Sequence, residues 1–185
     1  MFFAMLTMAA DTPAAGWNVE QLIQSMAAVK SAKGKFVERK QMAILNAPLE
    51  TTGTLAYTAP GRLEKHTLQP KPESLILDQD RLLIENRDKK FRRTLNLQEY
   101  PLVWALVEGI RSTLAGDLRT LSRFYRLSLE GSESGWSLVL TPVEPKVREL
   151  LSEIRISGSA NRITTVDVYE AGGDRSTMTV VGDAS

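Results

Sequence analysis

The chain has a single histidine, His66, and no cysteine. Nucleophilic chemistry is thereby narrowed to a serine activated by that one imidazole. A Ser-His-Asp hydrolase would need His66 as its base. The residue sits between Lys65 and Thr67, in a run that alternates like the returning strand of a hairpin, a poor seat for an exposed base. The segment Gly131-Ser-Glu-Ser-Gly135 has the outline of a nucleophile elbow. Glu133 stands where that motif needs serine, and strand-like runs flank it on both sides where a helix should follow. Thiolate or His-rich metal sites are excluded by composition. Ala171-Gly-Gly-Asp174 lacks the lysine and the following helix of a phosphate loop and reads as a turn. Asp78 and Asp80 bracket a glutamine between two apolar runs, the pattern of a solvated turn. Neither catalysis nor a cofactor is expected.

What chemistry remains is charge. Arg87-Asp-Lys-Lys-Phe-Arg-Arg93 holds five basic residues in seven. On a strand these would emerge on both faces. Anionic headgroups, an acidic patch on a partner or RNA could use such a run; a charged edge strand that resists aggregation gives the same pattern. Lys89, Lys90, Arg92 and Arg93 are the docking candidates.

The elements that must position these groups follow from periodicity. Asn18 is a candidate N-cap for a helix carrying Val19, Leu22, Ile23, Met26 and Val29, with Lys30, Lys33 and Lys35 near its end and Gly34 as its stop. Period two then takes over. Phe36–Leu45 is one strand candidate. Leu49–Thr58 is another, with Leu55 and Tyr57 on its apolar face. Ala59-Pro60-Gly61 turns the chain into Arg62–Gln69, and short strands follow through Leu95. Counting by twos sets Leu55, Tyr57, Leu63, Lys65, Leu75 and Leu77 on one face of a sheet. Gln98–Leu121 reads as helix, broken near Gly116-Asp117, with Leu102, Leu106, Ile110 and Leu114 in one stripe and Val103 and Val107 beside it. Strands resume from Arg123 to Val181, interrupted by a helical turn at Pro145–Leu151. The expected fold is α+β: a curved antiparallel sheet forming an incomplete barrel of about ten or eleven strands, with a few helices over its concave face.

Composition agrees with one domain of 185 residues, 43% hydrophobic and 24% charged. The 23 Lys+Arg nearly cancel the 22 Asp+Glu, so no global grip on nucleic acid is expected. Aromatics make up only 6%, thin for base stacking. Trp17, Trp104 and Trp136 are scattered and read as packing residues. Residues 1–16 are an apolar stretch with a small-residue end, read as the remnant of a secretion signal without a basic leader. The domain is expected over residues 17–185.

The order of elements resembles the LolA-like family, the periplasmic carriers of outer-membrane lipoproteins. Lys35-Phe-Val-Glu38 is similar to the family's entry into its first strand. Leu49-Glu-Thr-Thr-Gly-Thr-Leu-Ala-Tyr57 is similar to its Gly-x-Leu strand, and Thr58-Ala-Pro-Gly-Arg-Leu63 to its proline turn. Pro72-Glu-Ser-Leu-Ile-Leu-Asp-Gln-Asp80 resembles the next strand pair, and Trp136-Ser-Leu-Val-Leu-Thr-Pro142 the apolar strand ending in Thr-Pro. The resemblance implies a monomeric, non-enzymatic periplasmic carrier. Its apolar cavity would hold acyl chains of a lipid or lipoprotein, taken from an inner-membrane donor and passed to an outer-membrane acceptor. Leu55, Tyr57, Leu63, Lys65, Leu75 and Leu77 would then line the cavity, with Leu102, Leu106 and Ile110 as its lid. An envelope-stress sensing or regulatory module on the same fold is the alternative. Two departures stand out. Ala59 replaces the arginine that precedes the family's turn proline and is thought to hold the lid. Lys65 replaces a tryptophan. An ammonium on that face must snorkel to the rim, pair with an acid, or meet an anionic ligand group.

Overall fold

Two β-rich halves flank a helical crossing, and the computed structural model describes residues 16–182. The expected signal remnant falls largely outside the described residues. Helix α1 spans Val19–Ala27, and its start is a reciprocal cap. Gln21 N–H donates to Asn18 Oδ1 at 2.9 Å, and Asn18 N–H donates to Gln21 Oε1 at 3.1 Å. The helix ends at Ala27, seven residues before the expected stop at Gly34. Ser31–Gln41 instead forms β1, whose first residue already pairs with Thr58. Gly34 marks close packing in a strand: a Cβ there would lie 2.9 Å from Val180 Cγ1. Lys33 and Lys35 flank it and are exposed.

A meander follows: β2 (Leu49–Thr58), β3 (Arg62–Gln69), β4 (Glu73–Asp78), β5 (Arg81–Asn86) and β6 (Phe91–Asn96). Arg87–Lys90 is thus the turn of a hairpin, and only Phe91–Arg93 of the basic run lies on a strand. After a 3-10 turn at Leu97–Glu99 come α2 (Pro101–Ala115) and α3 (Leu118–Phe124). Pro101 opens α2, where its missing N–H costs nothing. Gly116 closes it at φ 71°, a left-handed conformation that favours glycine. Asp117 then caps α3 by accepting from Thr120 N–H at 3.0 Å. The second meander is β7 (Tyr125–Ser132), β8 (Gly135–Pro142), the short α4 (Pro145–Arg148), β9 (Leu151–Ser159), β10 (Arg162–Glu170) and β11 (Arg175–Val181).

These make one open antiparallel sheet of eleven strands, in the order β6-β5-β4-β3-β2-β1-β11-β10-β9-β8-β7. The result is an incomplete barrel with helices. The meanders are sewn together only at β1 and β11, where Phe36 faces Val180 and Glu38 faces Met178. The free edges are β6 and β7, and the segment joining them is the one that holds α2 and α3. That segment crosses the sheet's inner face, where residues of α2 pack against the clusters of both halves.

Packing divides in two. The larger core joins Leu22, Ile23 and Met26 of α1 to Leu138, Leu140, Ile154 and Ile156 of β8 and β9. A smaller one gathers Leu77, Leu82 and Leu97, with Val103 and Val107 against them. Trp104 touches both clusters, and its ring meets Phe124 edge-on at 4.7 Å. Helix α2 is therefore a wedge between two cores. Among the described residues, no helix is long and apolar enough to cross a membrane.

Candidate functional site: an apolar cavity under α2

Residues directly opposite in antiparallel strands share a face. Two rows on the inner face follow from the register. One runs Ala32–Tyr57–Leu63–Leu77–Leu82–Leu95, the other Gly34–Leu55–Lys65–Leu75–Ile84–Arg93. Each row ends on β1 in a small residue, Ala32 or Gly34. Space is left there, and a cavity of about 770 Å³ occupies it, within the range of about 300–1,000 Å³ usual for ligand pockets. Leu55, Tyr57, Leu63, Lys65, Leu75 and Leu77 all line this space. Ile163, Val166, Met178 and Val180 supply the wall beyond the seam.

The roof is Val107, Ile110 and Leu114, joined by Val29. Of the expected lid residues Leu102, Leu106 and Ile110, Ile110 is placed here, followed by Leu114 of the same stripe. Leu102 and Leu106 pack on the larger core and do not line the cavity. The stripe itself is continuous, but the cavity lies only under its C-terminal half. Sequence reasoning did not select Val107 and Leu114 as lid residues. Leu114 continues the stripe and Val107 lies beside it, and a helix apolar on several sides does not declare which side is roofing.

Both ends of the wedge are fastened. Tyr125 Oη–H donates to the Ala105 carbonyl. On the other side, Arg111 donates to the Gln79 carbonyl at 2.6 Å and pairs with Glu108. Glu108, 8% exposed, also accepts from Ser112 Oγ–H at 2.7 Å. With Ala59 before the turn proline, α2 holds the β4–β5 turn through an arginine of its own, Arg111.

Lys65 pairs with Glu38, and its Nζ lies 4.9 Å from the centre of the Phe36 ring. Glu38 also accepts from Ser176 Oγ–H at 2.7 Å and from Thr51 Oγ1–H at 3.4 Å. Burial pushes the Glu38 carboxyl up, but the Lys65 charge and these hydrogen bonds together hold it below its ordinary value. The ammonium is thus neutralised by an acid on β1, one strand beyond its neighbour β2. Glu38 was visible in the sequence only as part of the strand-entry motif.

The basic candidates sit apart from the cavity. Lys89 and Lys90 lie in the β5–β6 turn, Arg92 and Arg93 on edge strand β6, and all four are exposed. Arg93 donates to Tyr100 Oη at 3.2 Å, at the threshold of α2. His66 is bridged between Ser74 Oγ at 2.9 Å and Glu64 Oε2 at 3.1 Å. His66 and Ser74 alternate with the cavity rows on β3 and β4, while Glu64 also borders the cavity. Among the described residues no His/Cys/Asp/Glu cluster could hold a metal.

The fold is thus an open barrel with a helix wedged over an apolar cavity. The sequence from residue 10 to 185 matches the family described as outer membrane lipoprotein carrier protein LolA-like, and the chain belongs to that family. A search of curated proteins returns no match. Among solved structures, the chain is similar to a LolA superfamily protein from Nitrosomonas europaea, at 10% identity, covering 88% of this chain and 90% of that one with a TM-score of 0.48. It is also similar to a putative outer membrane lipoprotein-sorting protein domain from Vibrio parahaemolyticus, at 7% identity, 89% and 90% coverage and a TM-score of 0.46. A third is MucB, at 15% identity and a TM-score of 0.48, where 86% of this chain spans 55% of that one.

Proposed function

We propose that this protein is a periplasmic carrier that holds an acyl chain of a lipid or lipoprotein under α2. It would move that chain from an inner-membrane donor to an outer-membrane acceptor, without catalysis. The observation that carries the reading is the cavity of about 770 Å³, walled by Leu55, Leu63, Leu75, Leu77, Val166 and Met178 and roofed by Val107 and Ile110. Each methylene removed from water contributes about 0.8 kcal/mol, so a sixteen-carbon chain is worth roughly 12 kcal/mol. Carriage through water needs a site that matches most of that and still lets go. A pre-formed cavity supplies the match. A roof fastened by a few hydrogen bonds supplies the release. Lys89, Lys90, Arg92 and Arg93, exposed together at one edge, are the proposed docking surface for an anionic membrane or an acidic partner.

The test is mass spectrometry of molecules released from the protein purified from its own host. Acyl-bearing molecules in stoichiometric amount are expected. A preparation free of them, isolated in a stable complex with a membrane regulator, would instead identify a regulatory module.

A further inference from the structure

The two ends of the sheet differ in chemistry. Because consecutive strands are antiparallel, five strand-to-strand connections gather where β1 finishes: residues 42–48, 70–72, 87–90, 143–150 and 171–174. Four gather at the other end: residues 59–61, 79–80, 133–134 and 160–161. Eight large hydrophobic residues are exposed among the described ones, and seven lie in the first set of connections or within two residues of it. Only Val181 stands elsewhere. The first set also carries six cations, Lys71, Arg87, Lys89, Lys90, Lys146 and Arg148, against four acids. The second carries Asp80 and Glu133 and no cation.

The β1–β2 loop is the apex of the apolar end. No charge occurs in residues 41–49, between Lys40 and Glu50. Ile44 is 84% exposed, and Leu45 and Leu49 are exposed beside it. The loop is held rather than loose. Ala43 N–H donates to Asp174 Oδ1 at 2.9 Å, and Leu45 N–H donates to the Met42 carbonyl at 3.0 Å. The Asp174 turn reaches on to Leu150, whose carbonyl accepts from Ala171 N–H at 3.0 Å. A side chain standing as clear as Ile44 would need a deep groove in a protein partner, whereas fluid lipid closes around a convex tip. Cations at the same end suit anionic headgroups. We infer that this end docks on an anionic bilayer, with Ile44 and Leu45 entering the interfacial region and Lys71, Arg87, Lys89 and Lys90 facing headgroups. This rests on the docking part of the proposed function and is independent of its cargo. The cavity is bordered by residues 31–34 and 161–163, at the other end of the sheet, which docking leaves free.

The experiment measures partition onto vesicles of phosphatidylcholine and phosphatidylglycerol in equal parts, for wild type and Ile44→Ser/Leu45→Ser. The double variant should bind about tenfold or more weakly, the worth of partly burying two large aliphatic side chains, at low and high salt alike. Its thermal midpoint should match wild type, because both residues are exposed. The chain has no cysteine, so an environment-sensitive dye can be placed at Leu45→Cys and, at the opposite end, at Glu133→Cys. Vesicles should shift the emission of the first to shorter wavelength and leave the second unchanged. Equal partition of wild type and double variant would overturn insertion and leave docking to the cations alone. So would a dye at position 45 that stays in a water-like environment while the protein is bound. Failure of wild type to bind these vesicles would overturn the bilayer as partner, for the tip and the basic run alike. If wild type then self-associates and the double variant does not, the tip is a contact between copies of this chain.

Discussion

Glu38→Gln tests the charge balance on the inner face. The substitution preserves shape and leaves the Lys65 ammonium facing an amide. Breaking a fully buried ion pair costs about 3–5 kcal/mol, whereas an exposed pair is worth about 0–1 kcal/mol. The two side chains are 23% and 21% exposed, nearer the buried case. The glutamine oxygen can still accept from Ser176, so a loss of about 2 kcal/mol is expected. With a urea dependence of about 2 kcal/mol/M, the midpoint would fall by roughly 1 M. Lys65→Met should cost less, because methionine keeps the apolar stem over Phe36. The double variant should recover part of the loss, with a coupling of at least about 1 kcal/mol in the four-protein cycle. The pH dependence has a definite sign. A carboxyl with a folded pKa below its unfolded value adds stability above the unfolded value and loses it as pH falls through the folded one. The gap between wild type and Glu38→Gln should therefore be full at neutral pH and close below about pH 4.3. Additive single effects, within about 0.5 kcal/mol, would refute the pairing.

Leu55→Trp should fill part of the cavity and lower the affinity for an acyl-chain fluorophore about tenfold or more, with a stability change below roughly 1.5 kcal/mol; unchanged affinity would place the ligand elsewhere. Leu106→Asp should act mainly on folding, because Leu106 packs on the larger core, and a loss of about 1–3 kcal/mol by urea titration is expected. Gly116→Ala should lose at least about 1–2 kcal/mol, since a Cβ at φ 71° would lie 2.4 Å from Ala27 Cβ; a neutral result would mean that α1 and α2 shift apart freely. Replacing Lys89, Lys90, Arg92 and Arg93 with glutamine should spare acyl binding and abolish a salt-sensitive association with anionic vesicles in flotation assays; retained flotation would leave the run as an edge guard only.

The periodicity of individual residues made much of the sheet legible. Leu55, Tyr57, Leu63, Leu75 and Leu77 alternate cleanly because only one side of each strand meets the interior, and a one-residue slip would have put Ile76 there instead. The break at Gly116-Asp117 was equally plain, since a left-handed glycine and an aspartate cap leave local marks. The start of β1 was not. Lys30, Lys33, Gly34 and Lys35 have the composition of a helix C-terminus, and the reason Gly34 is needed lies on β11, far away in sequence. The partner of Lys65 was hidden for the same reason, since nothing local joins positions 38 and 65. The rotation of α2 was hidden too, because it depends on which of two cores each apolar side chain chooses. That the buried Tyr57 hydroxyl has no hydrogen-bond partner among the described residues is likewise a property of three-dimensional neighbours alone.

The seam between β1 and β11 sets an order of events in the life of the chain. Glu38 and Ser176, hydrogen-bonded across it, are 138 residues apart. The cavity needs both sides of that seam: Leu55, Leu63 and Leu75 come from one, Val166 and Ile163 from the other, and Met178 and Val180 from β11 itself. As the chain emerges from its amino end, each meander can assemble on neighbouring contacts, but β1 stays an unpaired edge until β11, last of the strands, arrives. Closing so long a loop adds only slowly to its entropic cost, so the delay is one of sequence rather than of energy. The apolar cavity is thus complete only at the final step of assembly, when β11 joins the wall carried by β10 to the wall carried by β2, β3 and β4.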